Sequence, residues 1–205
     1  MMKIIFLDID GVINSEDYAI YRYETKKFDS DEFIDERAVA FLNYIIDKTQ
    51  AKIVLSSSWR GNFDETYERL KKVGFKYEFF DKTPYLESRH RGSEIQAWID
   101  NYEKDHEPLE SYVILDDDND ILDDQEKNFV QCNFIHGLTS VDCYKAIGIL
   151  NNDIEETNEN ENFVPTVEVS TELIDNIIKY CETQAIYDKL GPYGDFYYKL
   201  KQIRK

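Results

Sequence analysis

Apolar residues come in five short runs along the chain, and each run is followed by a turn and then by a helical pattern. KIIFLDI at 3–9 is apolar on both faces, as a central strand in a covered parallel sheet must be. AKIVLSS at 51–57, KYEFF at 76–80, SYVILDD at 111–117 and NFVQCNFI at 128–135 predict four more strands. Between them the period lengthens. From Ser30, a suitable N-cap, Ile34, Ala38, Phe41, Leu42, Ile45 and Ile46 fall along one helical stripe. Asn62 with Glu65 three residues on has the form of a capping box, opening a helix that Gly74 closes. GSEIQAWIDNY at 92–102 and TSVDCYKAIGIL at 139–150 predict two further helices. Residues 14–30 show no period and predict a tyrosine-rich loop or flap, whose Tyr18, Tyr21 and Tyr23 either stack on a base or pack on the rim.

Strands alternating with helices imply right-handed crossovers and a doubly wound, Rossmann-like three-layer α/β/α sandwich with a mainly parallel five-stranded sheet. The expected organisation is an α/β domain over 1–150, an acidic linker or loop over 151–165, and a helical extension over 166–205. That extension carries Leu173, Ile174, Ile177, Ile178 and Cys181 on one face. Such a face must be covered by the domain, by a second subunit in a homodimer, or as a lid over the site.

In a doubly wound sheet the site lies beyond the carboxyl ends of the strands, where the strand order reverses. Four unusual strand endings meet that description. The first strand ends in Asp8 and Asp10 before Gly11, and the second in SSSWR at 56–60. SRHRG at 88–92 precedes a helix, and the fourth strand runs into LDDDND at 115–120. Paired carboxylates hold Mg²⁺ through oxygen ligands, while a hydroxyl, backbone N–H groups and a cation hold an anionic phosphate. The set therefore points to phosphoryl transfer. A calcium loop is excluded at LDDDND, because Ile121 stands where that loop needs glycine and Lys127 where it needs glutamate. Two aspartates two apart on an extended strand are expected to project from one face.

Charge narrows the partners. The formal net charge is -18, and both halves of the chain are acidic. A broad footprint on duplex nucleic acid or an anionic membrane is excluded, since that binding relies on lysine and arginine; a short basic groove inside an acidic shell is not. Cys132, Cys143 and Cys181 are widely spaced, without CxxC, and read as reduced thiols. Asp8 interrupts the first apolar run too early for a signal-peptide core, and no later run spans a bilayer, so a cytoplasmic location is expected.

DIDGV, the serine run, the pre-helical arginine and the DD pair together resemble the four motifs of the haloacid dehalogenase (HAD) superfamily, over roughly residues 3–150. SSSWR, RGSEIQAW and VILDDDND resemble more narrowly the HAD phosphatases of nucleic-acid repair and phage polynucleotide phosphatases. The resemblance implies that Asp8 is the nucleophile forming an aspartyl phosphate, needing no deprotonation at neutral pH. It makes Asp10 the general acid and then base, and Asp10 in turn favours phosphatase over dehalogenase. It gives Mg²⁺ to Asp8, the Asp10 backbone carbonyl, and Asp116 or Asp117, with Asp120 a further candidate. Phosphate would contact Gly11, one of Ser56 and Ser57, and Arg91. Ser57 is favoured because that hydroxyl often stands two before a Trp, and Arg91 over Arg89 because it abuts the helix start.

Neither interval between motifs has room for a full cap, which implies an open site and a large substrate such as a nucleotide or nucleic-acid end. A phosphoprotein, a small metabolite, or a non-catalytic binding role for the same fold are the alternatives. His90, His106 and His136 lack metal-ligand spacing, and Trp59 and Trp98 read as core residues.

Overall fold

The computed structural model describes residues 2–25 and 34–153. In chain order these form β1 (Lys3–Leu7), α1 (Glu16–Thr25), α2 (Glu36–Thr49), β2 (Lys52–Leu55), α3 (Phe63–Lys72), β3 (Phe79–Lys82), α4 (Arg91–Tyr102), β4 (Ser111–Asp116), β5 (Phe129–Gln131) and α5 (Ser140–Asn151). All five strands are parallel, in the order β3-β2-β1-β4-β5. The chain steps outward from β1 through β2 to β3, then returns to lay β4 on the other side of β1. Strand order thus reverses at β1, as the doubly wound reading requires.

The two-residue alternation of the strands explains why their sequences are apolar throughout. Ile5, Leu7, Ile53, Leu55, Val113 and Leu115 share a buried cluster with Leu42 and Ile45 of α2 and Ala146 and Leu150 of α5. The intervening Ile4, Phe6, Val54 and Ile114 cluster instead with Ile95, Trp98 and Ile99 of α4. Phe6 is fully buried, edge-on to Trp98 at 5.5 Å between ring centroids and to Tyr112 at 5.8 Å. Trp98 is therefore the core residue its sequence suggested.

Several local expectations are corrected. The first part of the flap is α1, a helix whose sequence EDYAIYRYET has little apolar period. Its ends explain its stability. Ser15 Oγ accepts from Tyr18 N at 3.3 Å, and the free N–H groups of Glu16 and Asp17 reach the carbonyls of Phe134 and Ile135 at 3.3 and 3.0 Å. Tyr18 is buried, its hydroxyl donating to Glu36 Oε2 at 2.6 Å, so it is structural and not available for stacking. The Ser30 cap lies outside the described residues; α2 begins at Glu36, with Asp35 accepting from Arg37 N at 2.8 Å. The Asn62–Glu65 capping box is not formed, because a 3-10 turn over Ser58–Asn62 leads directly into α3 and Glu65 pairs with Arg69 instead. β3 sits two to three residues later than expected. β5 stops at Gln131, because Asn133 to Gly137 closes a turn in which Gly137 N donates to Asn133 O at 2.8 Å.

The linker beyond Asp153, the 166–205 helix and its homodimer or lid roles lie outside the described residues. Among the described residues no helix is long and apolar enough to cross a membrane.

One close approach locks α4 to the loop after β4. Gly92 N donates to Asp120 O at 2.9 Å, and Gln125 Nε2 donates to Gly92 O at 3.0 Å. A Cβ on Gly92 would lie 2.5 Å from Leu122 N and 2.8 Å from the Ile121 carbonyl carbon, both backbone atoms unable to swing aside. Gly92→Ala should therefore cost roughly 1–3 kcal/mol, the range of overpacked cores. A lowered urea midpoint with an unchanged slope is the expected result; an unchanged midpoint would refute the packing argument.

Candidate active site

The sheet ladder itself carries the chemistry-bearing residues to one edge. Asp8 N donates to Leu115 O at 2.9 Å, Ser56 N to Leu7 O at 2.8 Å, and Cys132 N to Asp116 O at 2.8 Å. Asp8 thus continues β1 between its two neighbours and is 4 % exposed, while Asp116, the last residue of β4, is 1 % exposed. After Asp8 the chain turns sharply. The Ile9 carbonyl accepts from the N–H groups of Val12, Ile13 and Asn14 at 3.3, 2.8 and 3.1 Å, and Gly11 adopts φ 68°. Ile9, Val12 and Ile13 enter the core, leaving Asp10 exposed on the turn. The expectation that both aspartates share one strand face is therefore corrected: the strand ends too soon, so one carboxylate is buried and the other faces solvent.

Three carboxylates converge. Asp8, Asp116 and Asp117 each offer an oxygen, all within 4.8 Å of one another. Gly11 makes this convergence possible, since a Cβ there would lie 2.7 Å from both Asp117 oxygens. Its own N–H is engaged by Asn14 Oδ1 at 2.9 Å. Asp120 does different work: its Oδ2 accepts from Arg91 N at 3.0 Å at the start of α4, outside the cluster.

Arg91, the first residue of α4, reaches into the carboxylates. Its Nη2 donates to Asp8 Oδ1 at 3.1 Å, and its Nε lies 3.0 Å from Asp116 Oδ2. The second contact is an ion pair without hydrogen-bond alignment, so Asp116 Oδ2 is a buried oxygen with no hydrogen bond. Arg89, by contrast, is exposed. Of the two serines, Ser57 lies close enough to lower the Asp8 pKa, and its Oγ accepts from Trp59 N at 3.2 Å. Ser56 is equally buried, but its hydroxyl has no hydrogen-bond partner among the described residues. Alternation along the strand end accounts for the difference.

Four residues of this region have partners the sequence did not show, and Trp59, read as a core residue, is only half-buried at the edge of the site. Trp59 Nε1 donates to Asp10 Oδ2 at 2.9 Å and Asn14 Nδ2 donates to Asp10 Oδ1 at 2.8 Å, so both oxygens of the exposed carboxylate are held. Arg60 and Glu94, 3 % and 2 % exposed, form an ion pair at 2.5 Å. Arg60 Nη1 also donates to Ser57 O at 2.7 Å, and Glu94 Oε1 accepts from Leu86 N at 3.1 Å. The pair braces the serine turn against α4 one turn beyond Arg91. The signals were a Trp and an Arg directly after the serine run and a Glu three residues past Arg91, none of which declares a partner by itself. His90 proves to be the N-cap of α4, its Nδ1 accepting from Ser93 N at 3.3 Å.

Burial dominates the electrostatics. It pushes Asp8 up from the ordinary carboxylate range to about 8; the Asp116 charge adds to the rise, while Arg91 and Ser57 oppose it. Burial likewise raises Asp116 to about 7 against the pull of Arg91, and raises Asp117 with help from Asp118. Burial thus works against the ionised form of Asp8, while the Arg91 guanidinium beside it works in favour. Three crowded carboxyl groups that resist ionisation, one with an unpaired buried oxygen, have the donor chemistry of a divalent-cation site.

A family model described as the HAD domain in Swiss Army Knife RNA repair proteins matches residues 4–143, more than half of the chain. The chain belongs to this family, and its described domain is of the HAD hydrolase class. No curated protein and no solved structure matches it.

The carboxyl shifts fix a stability trend for the metal-free protein. The unfolded chain releases these protons near the model-compound value of 3.8, whereas the folded site retains them toward 7 and 8. Unfolding then releases protons, and stability is lost as pH rises from about 4 to 8. Urea unfolding in a chelator at pH 5 and pH 8.5 should differ by roughly 1–3 kcal/mol, with the lower pH more stable. Asp8→Asn should flatten that slope, and so should saturating Mg²⁺; a slope that Asp8→Asn leaves unchanged would contradict the assignment.

Proposed function

We propose that this protein is a Mg²⁺-dependent phosphatase that hydrolyses a phosphomonoester on a nucleotide or nucleic-acid end through an aspartyl phosphate on Asp8. One observation carries the reading: a buried carboxylate touched by an arginine and a serine faces two further carboxylates, while a second carboxylate stands outside them, held at both oxygens. The buried group suits attack and the exposed group suits proton transfer. Asp8, Asp116 and Asp117 would hold the ion, with the Asp10 backbone carbonyl as a further oxygen ligand. Bound Mg²⁺ supplies positive charge that displaces the protons from these carboxyls and offsets the charge of the transferring phosphoryl group.

The chain's own groups then divide the work. Arg91, which bonds Asp8, and Ser57 beside it would receive the phosphate oxygens. An Asp8 oxygen forms the bond to phosphorus as the bond to the leaving oxygen breaks, and protonated Asp10 gives its proton to that oxygen. In the second half Asp10, now ionised, takes a proton from water as the water oxygen attacks phosphorus, which breaks the acyl-phosphate bond and restores Asp8. Trp59 and Asn14 keep Asp10 aimed through both steps. The family's link to RNA repair supports a nucleic-acid end as substrate. The acidic surface fits an end inserted into a local site better than a duplex lying across the protein.

A phosphatase panel with Mg²⁺, comparing p-nitrophenyl phosphate, mononucleotides, oligonucleotide 5′ and 3′ ends and phosphopeptides, tests the reading. Hydrolysis should vanish in chelator and in Asp8→Asn, and fall by about 10²- to 10⁴-fold in Asp10→Asn. Trp59→Phe, which removes one of the two donors to Asp10, should lower kcat by about tenfold with little change in KM. A folded, metal-binding protein inert toward the whole panel would overturn the enzyme assignment.

A further inference from the structure

Beside Asp10 the surface opens into a groove of about 370 Å³, lined by Asp10, Asn14, Glu16, Tyr18, Ala19 and Phe134 among others. Its most unusual element is Phe134. The ring is 55 % exposed, yet the loop that carries it is held firmly. The Phe134 and Ile135 carbonyls take the first N–H groups of α1, and Leu138 N donates to Val12 O at 2.8 Å. Ile135 N donates to Asn133 Oδ1 at 2.9 Å, and Gly137 turns at φ 68° where a Cβ would meet Val12 O at 3.0 Å. A large apolar side chain on so well-anchored a loop is presented to solvent by the fold itself, not by a floppy terminus.

The position of the groove identifies what enters it. In the reading above, Asp10 protonates the leaving oxygen, so whatever the phosphate is attached to must lie on the Asp10 side. There it meets the Phe134 ring, and the Glu16 carboxylate lines the same groove. A planar ring with N–H donors at its edge matches this lining; a second phosphate on the same side would meet carboxylates. We propose that Phe134 is a stacking platform for the nucleobase of the nucleoside that carries the scissile phosphate. The assignment rests on the reading of Asp10 as the acid, and any continuing strand would leave the groove away from Glu16.

The test compares adenosine 3′- and 5′-monophosphates with glycerol phosphate on the full chain with Mg²⁺, by kcat/KM and by calorimetric titration. Base-on-aromatic stacking predicts that at least one nucleotide is favoured over glycerol phosphate by about tenfold. That preference should collapse toward unity in Phe134→Ala and be retained in Phe134→Trp, with the urea midpoint confirming that both variants fold. Equal treatment of nucleotide and glycerol phosphate by the wild-type chain, or a preference unchanged in Phe134→Ala, would overturn the platform. Because titration into Asp8→Asn reads binding without turnover, the two ideas fail separately. A Phe134-dependent nucleotide preference in a chain that hydrolyses nothing sinks the phosphatase reading alone, and hydrolysis without a base preference sinks the platform alone.

Discussion

Asp8 and Asp116 leave water side by side, and Arg91 is the cation that touches both. Burying two carboxyls this close is costly, and two responses are visible: protons are retained, and a guanidinium is drawn in. Much of the surrounding architecture serves that contact. Strand order reverses at β1, which brings Asp8 and Asp116 together as neighbours. Gly92 lets α4 press against the loop after β4, and Asp120 fixes the backbone of Arg91. The Arg60–Glu94 pair ties the serine turn to the same helix. Without these supports, the guanidinium would gain more by returning to water.

Crowded buried carboxyls of this kind disfavour the folded protein wherever they ionise. Proteins often sacrifice stability where function needs crowded like charges, and here the sacrifice is confined to a few atoms at the end of a well-packed sheet. Behind it, Ile4 to Leu7, Ile53 to Leu55 and Val113 to Leu115 are apolar and fully buried. The sheet holds the three carboxyls at short range, their oxygens within 4.8 Å of one another.

How much of this was legible in the sequence depended on whether the information was local. The central strands announced themselves because burial on both faces leaves an uninterrupted apolar run, and the DIDG and LDDD endings declared carboxylates at strand termini. α1 did not, because its sequence has almost no apolar stripe and its first turn is satisfied by carbonyls more than a hundred residues away. The Asn62–Glu65 box looked local and was still wrong, since a preceding 3-10 turn had already started the helix. Trp59 and Asn14 were invisible as partners of Asp10: one hydrogen bond crosses 49 positions, and the other depends on a left-handed Gly11. The split between buried Asp8 and exposed Asp10 followed from where the strand ended, which no two-residue rule could supply.

The attachment points of the two halves of the site differ in a way that bears on how such a protein can change over time. Asp8 and Asp116 are rooted in neighbouring strands at the heart of the sheet, where almost any substitution disturbs the core. Phe134 hangs from the loop beyond β5, the strand at the sheet's margin, and is more than half exposed. On the stacking proposal, substitution at Phe134 would change which partner is held while the carboxylate cluster stays intact. Diversity among proteins built on this plan would then accumulate at the margin of the sheet and be silent at its centre.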